Sequence, residues 1–182
     1  MKSRFPLAAL FVAATAASQC ALAAGAHSHG VARLDVAVDG ATVTLHLASP
    51  LESLLGFERP PRNDAERAQV RAMAQALRAG HPFVPTPAAR CRLASVELAS
   101  PALAPELLDG TASAASKFAD DHAELDGTFV YRCEEPKALQ GIDVMLFDHF
   151  KRLQRVEAQV AGPQGQKAAR LTSRARQIRW QR

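Results

Sequence analysis

Apolar and polar side chains alternate in two short runs between residues 30 and 48. An Asp-Gly dipeptide at 39–40 separates the runs, which is typical of a β-hairpin with a two-residue turn. Placing this dipeptide in the turn predicts that Val36 faces Val43 and that His46 faces Arg33. One face of the hairpin is then core. The other face carries the polar side chains of His27, His29, Arg33, Asp35, Thr44 and His46.

A helical pattern follows the prolines at 50, 60 and 61. Asn63 is a suitable N-cap residue, and the Glu66 carboxylate is placed to reach back toward the first turn, as in a capping box. Behind them an apolar stripe recurs at helical spacing, and it consists of Val70, Met73, Ala74 and Leu77. Gly80 predicts the end of the helix. The stripe is interpreted as core rather than as a cofactor-binding feature.

Short alternating runs and turn-rich connections make up the rest of the chain. The predicted strands cover Cys91 through Leu98, 122–133, 142–147, 155–161 and a last run ending at Leu171. Residues 81–90 are interpreted as irregular and 100–117 as a surface loop. The predicted fold class is α+β, a mostly antiparallel β-sheet with one main amphipathic helix and short helical turns.

Residues 1–23 have the organisation of a secretory signal peptide. Two basic residues among the first four precede an Ala-rich apolar run, and Ala21 and Ala23 supply an A-x-A cleavage signal. The apolar run is too short to span a bilayer. We therefore expect cleavage after Ala23 or Ala24, no membrane span, and a single periplasmic domain over 24–182.

Charge and motifs exclude two classes of function. The formal net charge of +4 falls to +2 when Lys2 and Arg4 leave with the leader. The arginines near the C-terminus have almost no aromatic residues beside them for base stacking, so we expect a solvated basic edge and no nucleic-acid partner. The sequence contains no G-x-S-x-G, phosphate-loop or H-E-x-x-H pattern, and we expect that the protein is not an enzyme.

Cys91 and Cys133 are the cysteines that remain after the leader. An even pair in an oxidising compartment predicts a disulfide, which would close a loop of about 40 residues and contribute about 4 kcal/mol. A two-cysteine metal site is the other interpretation, but free thiolates oxidise in that compartment. The disulfide is therefore favoured.

Histidine is scarce, with six in the whole chain. His27 and His29 are two residues apart, so in an extended segment both rings project from one face, with Cα atoms about 6.5–7 Å apart. His122 and Glu124 repeat this spacing, and Asp120 precedes them. Such ligands suit Zn²⁺, which takes about four N, O or S donors. Taken singly, these histidines are also consistent with a solvated arm and an ordinary surface residue.

The cleavage position decides a second metal possibility. A cut after Ala24 leaves Gly25, Ala26 and His27 at the mature N-terminus. Its amine, two amide nitrogens and imidazole would surround Cu²⁺ or Ni²⁺ in a square plane. A cut after Ala23 removes this geometry, and A-x-A is the better cleavage signal, so copper or nickel remains the alternative to zinc.

Several segments occur in an order that resembles the ZrgA-type periplasmic zinc-binding proteins. They are HSHGVARLDVAVDG, SPLESLLGFERPP, HAELDGTFVYRC, IDVMLFDHF and a late Gly-Gln at 165–166. The resemblance spans nearly the whole chain after the leader. It implies an accessory of bacterial zinc uptake, with a component of a zinc ABC-transport system as partner.

Position by position, the resemblance also implies roles for individual residues. His27 and His29 match the family's opening histidines, and His122 and Glu124 match its histidine-acid stretch. Cys91 and Cys133 match its cysteine pair. Members typically carry a long loop rich in His, Asp and Glu before that stretch, whereas this chain has DGTASAASKFADD.

Without the ligand-rich loop of the family, we expect only one compact metal site. We therefore expect a periplasmic zinc-binding protein that buffers zinc or delivers it to an uptake system. Its predicted ligands are His27, His29, His122, Glu124 and Asp120. The alternative is a disulfide-stapled periplasmic interaction module with little or no metal binding.

Overall fold

The computed structural model describes residues 29–79, 81–108 and 123–179. Within these ranges the strands are β1 (Val31–Asp39), β2 (Thr42–Pro50), β3 (Phe83–Pro85), β4 (Cys91–Ala99), β5 (Glu124–Cys133), β6 (Gly141–Val144), β7 (Arg155–Gly162), β8 (Gly165–Leu171) and β9 (Gln177–Arg179). The helices are α1 (Leu51–Leu55), α2 (Asp64–Ala79) and α3 (Leu146–His149). Short 3₁₀ turns cover Pro87–Ala89, Pro105–Leu107 and Pro136–Ala138.

The strands form two sheets. The larger has six strands in the order β4-β5-β2-β1-β7-β8, and the smaller has three in the order β3-β6-β9. Strand pairs are antiparallel except β1 and β7, which run parallel. The predicted fold class, mostly antiparallel β-sheet with one main helix, is confirmed.

The hairpin of β1 and β2 is confirmed, but its predicted register is wrong by two residues. Val36 faces Leu45 and His46 faces Asp35, because the turn consists of Gly40 and Ala41 rather than Asp39 and Gly40. Gly40 has a φ of +54° in the first central position, where a type II′ turn requires glycine. A shift of two preserves the faces, so the division into core and polar sides holds.

Helix α2 begins where the capping pattern predicts. The Asn63 side chain accepts a hydrogen bond from the Glu66 amide at 2.9 Å. The Glu66 carboxylate reaches one residue further back than predicted, since it accepts from the Arg62 amide at 2.7 Å and from the Arg59 guanidinium at 2.7 and 2.9 Å. The predicted stripe is buried, as Val70, Met73, Ala74 and Leu77. Gly80 lies outside the described residues.

These hydrogen bonds make the start of α2 dependent on pH. The Arg59 guanidinium, and after it the Arg62 amide, hold the pKa of Glu66 at about 2, below its usual 4.5. The ionised Glu66 carboxylate therefore stabilises the folded protein fully above pH 4.5, and this stabilisation is lost as pH falls toward 2. We expect Glu66→Gln to lower the melting temperature at pH 7, and this deficit to shrink between pH 4.5 and 2.

Thermal unfolding followed by circular dichroism at several pH values measures that deficit. Glu58→Gln, which removes an exposed glutamate from the same connection, is the matched control. An equal deficit for Glu66→Gln at every pH from 7 to 2 would contradict the assignment.

Residues 81–90 are not irregular as predicted, because they contain strand β3 of the smaller sheet. This sheet packs on the inner face of β5. Phe83 in β3 lies edge-to-face against Phe129, with ring centroids 4.9 Å apart. The Tyr131 hydroxyl donates to the Phe83 carbonyl at 2.9 Å, and burial raises the pKa of Tyr131 to about 12. One hydrophobic cluster thus includes the inner faces of both sheets and the α2 stripe.

Two further predictions need correction. Residues 142–147 are not one strand: β6 ends at Val144, and α3 follows from Leu146. A short strand, β9, also lies beyond Leu171, which was predicted to end the last strand. Both differences arise because β6 pairs with β3 and β9, which are short and distant in the sequence.

The predicted surface loop over 100–117 is wrong for its described part. Leu103, Leu107 and Leu108 are buried. The Arg78 guanidinium at the end of α2 donates to the Leu108 carbonyl at 2.9 Å and to the Val96 carbonyl at 2.9 Å. The buried leucines and the hydrogen bonds from Arg78 hold residues 103–108 against the core.

The predicted disulfide is confirmed. Cys91 opens β4 and Cys133 ends β5, and the two residues face each other in the register of these strands. Their sulfur atoms are bonded, which closes a loop with a sequence separation of 42. The cysteine pair is therefore structural, and its interpretation as a metal site is wrong.

Candidate metal centre

Three chain segments meet at one end of the larger sheet. Strand β2 runs antiparallel to both β1 and β5, so the end of β2 lies between the starts of its two neighbours. Pro50 faces Glu124 in the register, and the Leu51 amide donates to the Ala123 carbonyl at 2.9 Å. Helix α1 therefore begins beside the start of β5.

An imidazole and a carboxylate lie together at this end. His29 Nδ1 is 3.4 Å from Glu52 Oε2, which stands in the first turn of α1. The His29 side chain is 70% exposed and the Glu52 side chain 26%, so solvent reaches the pair mainly from the histidine side. The buried Ser53 hydroxyl accepts from the Gly30 amide at 2.9 Å and ties the start of β1 to α1.

A guanidinium contacts the second oxygen of the same carboxylate. Arg152 Nη1 is 3.4 Å from Glu52 Oε1. We call His29, Glu52 and Arg152 the strand-end cluster. Its carboxylate lies between an imidazole and a guanidinium.

The predicted zinc ligands divide into two groups. His29 precedes β1 and Glu124 opens β5 at the same end of the sheet, but β2 lies between these two strands, which are therefore about 9.6 Å apart. His27, Asp120 and His122 lie outside the described residues, as does the Gly25-Ala26-His27 arrangement for copper or nickel. The complete ligand set stays a prediction.

Within the described residues, no group of three or more His, Cys, Asp or Glu side chains is placed to hold a metal ion. The strand-end cluster supplies two candidate ligands, His29 and Glu52. A site built on it therefore needs further donors.

Sequence reasoning missed Glu52. The hairpin register was the signal that could have revealed this residue. When the observed register is extended beyond the Arg33–Ala48 pair, it sets His29 opposite Glu52. The predicted register, which was two residues off, set His29 opposite Pro50 instead. An error that left the core face unchanged thus concealed a carboxylate 3.4 Å from the histidine.

The other described histidines lie on β2, after α2 and on α3. His46 lies on the polar face of β2, with Nε2 3.7 Å from Asp126 Oδ1 and Nδ1 3.4 Å from the Thr128 hydroxyl. His81 is exposed in the connection after α2, and His149 ends α3. None of the three was included in the predicted site.

Fold and cluster together define a small disulfide-bonded α+β domain with an imidazole–carboxylate pair at the end of its main sheet. The model of a family described as ZrgA family zinc uptake protein matches residues 26–180. The chain therefore belongs to the ZrgA family of zinc uptake proteins, and its role is related to zinc uptake. A comparison with curated proteins finds no match to this chain. No helix in the described part of the chain has the length and apolar character to cross a membrane.

Proposed function

We propose that this protein binds zinc in the periplasm and buffers it or delivers it to an uptake system. The site would form where β1, α1 and β5 begin. One observation carries this proposal: His29 Nδ1 and Glu52 Oε2 are 3.4 Å apart. Two donors on one tetrahedral zinc, each about 2.0–2.2 Å from the metal, are separated by about 3.4 Å. The pair is therefore spaced as two ligands of one ion.

The remaining ligands are proposed from chain connectivity. His27 is two residues before His29, and His122 directly precedes Ala123, whose carbonyl accepts from the first amide of α1. Consecutive Cα atoms are 3.8 Å apart, so both histidines belong to segments that start at this end of the sheet. With Glu124 or Asp120 they would complete a shell of nitrogen and oxygen donors suited to zinc.

The exposure of His29 supports an exchangeable site. A ligand that is 70% exposed is open to a competing acceptor on one side, as buffering or delivery requires. Zinc binds the neutral form of imidazole, so we expect zinc affinity to fall below about pH 6.

Native mass spectrometry of the exported, tag-free protein with and without Zn²⁺ tests this function. We expect one retained zinc ion, and loss of retention in a variant that combines His27→Ala with His29→Ala. Glu52→Gln should weaken binding about tenfold or more, because it removes a charged ligand.

His81→Asn is the matched control, since it removes an exposed imidazole elsewhere and asparagine tolerates the positive φ of +50° at that position. Wild-type protein that retains no zinc at micromolar metal would overturn the proposal and favour an interaction module. The same spectra give the first residue of the mature chain. They therefore also test export after residue 23 or 24 and the alternative copper arrangement at His27.

A further inference from the structure

The guanidinium in the strand-end cluster has a consequence for metal affinity. We propose that Arg152 competes with zinc for the Glu52 carboxylate, and that this competition lowers zinc affinity and speeds zinc release. This inference rests on the proposed function, because it takes Glu52 as a zinc ligand.

Arg152 is placed by backbone contacts rather than by its charge alone. The amides of Gln154 and Arg155, just after it, both donate to the Gly30 carbonyl, at 2.8 and 3.0 Å. Gly30 directly follows His29, so the segment that carries the arginine is tied to the segment that carries the imidazole. The backbone that carries Arg152 is thus held close to the candidate ligands.

Gly56 leaves the space that this guanidinium fills. A Cβ atom at Gly56 would lie 2.9 Å from Arg152 Nε and 3.0 Å from Cζ. Gly56 ends α1 with a φ of +86°, a conformation that side chains rarely adopt. The end of α1 therefore leaves space in which the arginine lies over the helix and reaches Glu52 in its first turn.

The two oxygens of Glu52 have different neighbours. Oε2 faces His29, where zinc would bind, and Oε1 faces Arg152. The guanidinium draws electron density from the carboxylate and repels a divalent ion. At about 5 Å in high dielectric, a unit charge acting on Zn²⁺ corresponds to an affinity change of about five- to twentyfold. Salt screens this repulsion, because Arg152 is 61% exposed.

Zinc affinity measured by competition with a chromophoric chelator tests the proposal. We expect Arg152→Gln to bind zinc about tenfold more tightly than wild type and to release it more slowly in stopped-flow chelation. Arg152→Lys, which retains the charge, should stay near the wild-type affinity. In a Glu52→Gln background the gain should become smaller, because the competition for the carboxylate is gone and only the repulsion of the ion remains.

Arg92→Gln is the matched control. Arg92 is also an exposed arginine paired with a glutamate, Glu134 at 3.3 Å, but it faces Arg132 near the far end of β5. Glu124 and Arg132 are eight positions apart on that strand, about 27 Å, so this substitution should leave zinc affinity unchanged.

The outcomes separate the two proposals. If wild type binds zinc and Arg152→Gln binds it equally or more weakly while melting normally, the competitor role is wrong and the zinc site stands. If wild type binds no zinc, the proposed function fails and this inference fails with it. A gain shared by Arg92→Gln would point to net charge alone and would also overturn a specific role for Arg152.

Discussion

Replacing both Cys91 and Cys133 by alanine should lower the free energy of unfolding by about 4 kcal/mol. The disulfide closes a loop with a sequence separation of 42, and the chain-entropy model gives about this value for a loop of that length. The bond joins the start of β4 to the end of β5, and among the described strands β4 lies at the edge of this sheet and pairs with β5 alone. Its loss therefore also releases the edge of the sheet.

Urea unfolding followed by far-UV circular dichroism measures this loss of stability. Wild-type protein treated with a reductant is the control, because it should reach the same midpoint as the double alanine variant. The cysteines lie at the opposite end of β5 from Glu124, so zinc binding by the folded variant should be unchanged at low temperature. A stability loss below about 1 kcal/mol would show that the cross-link does not constrain the unfolded chain as proposed.

Phe129→Ala should destabilise the protein by about 3–5 kcal/mol, the range for removing a fully buried aromatic ring. Phe129 has no exposed surface and lies in the middle of β5. Its ring meets Phe83 of the smaller sheet at an interplanar angle of 77°, an edge-to-face contact. The substitution therefore empties the place where the two sheets touch.

Val130→Ala is the matched control, since this neighbour in β5 points to the polar face and is only half-buried. It should cost about 1 kcal/mol or less. Phe129→Leu should fall between the two, because leucine refills part of the space. Equal losses for Phe129→Ala and Val130→Ala in urea unfolding would contradict the assignment of the inner face.

The local parts of this fold were predictable from the sequence. Alternation identified the two faces of the hairpin, and the apolar stripe from Val70 to Leu77 identified the buried side of α2. The parallel pairing of β1 with β7 was not predictable from the sequence, because neither strand contains a pattern that indicates which distant strand lies beside it. Short elements such as β3 and α3 were also missed, since they depend on tertiary pairing more than on local propensity.

The candidate site was predictable only in part, for the same reason. His29 and Glu124 stood out because each lies in a pair spaced by two residues. Glu52 had no such local mark, and its proximity to His29 depended on a register that faces alone do not fix. Arg152 could not be found at all, since its contact spans 100 residues of sequence.

The parallel pair of β1 and β7 also constrains the order of assembly. Residues 31–37 lie beside residues 155–161, so the middle of the main sheet stays open on one side until nearly the whole chain is present. A chain that emerges from a ribosome, N-terminus first, is therefore unable to close this sheet early. C-terminal truncations before β7 are therefore poor candidates for producing a stable fragment.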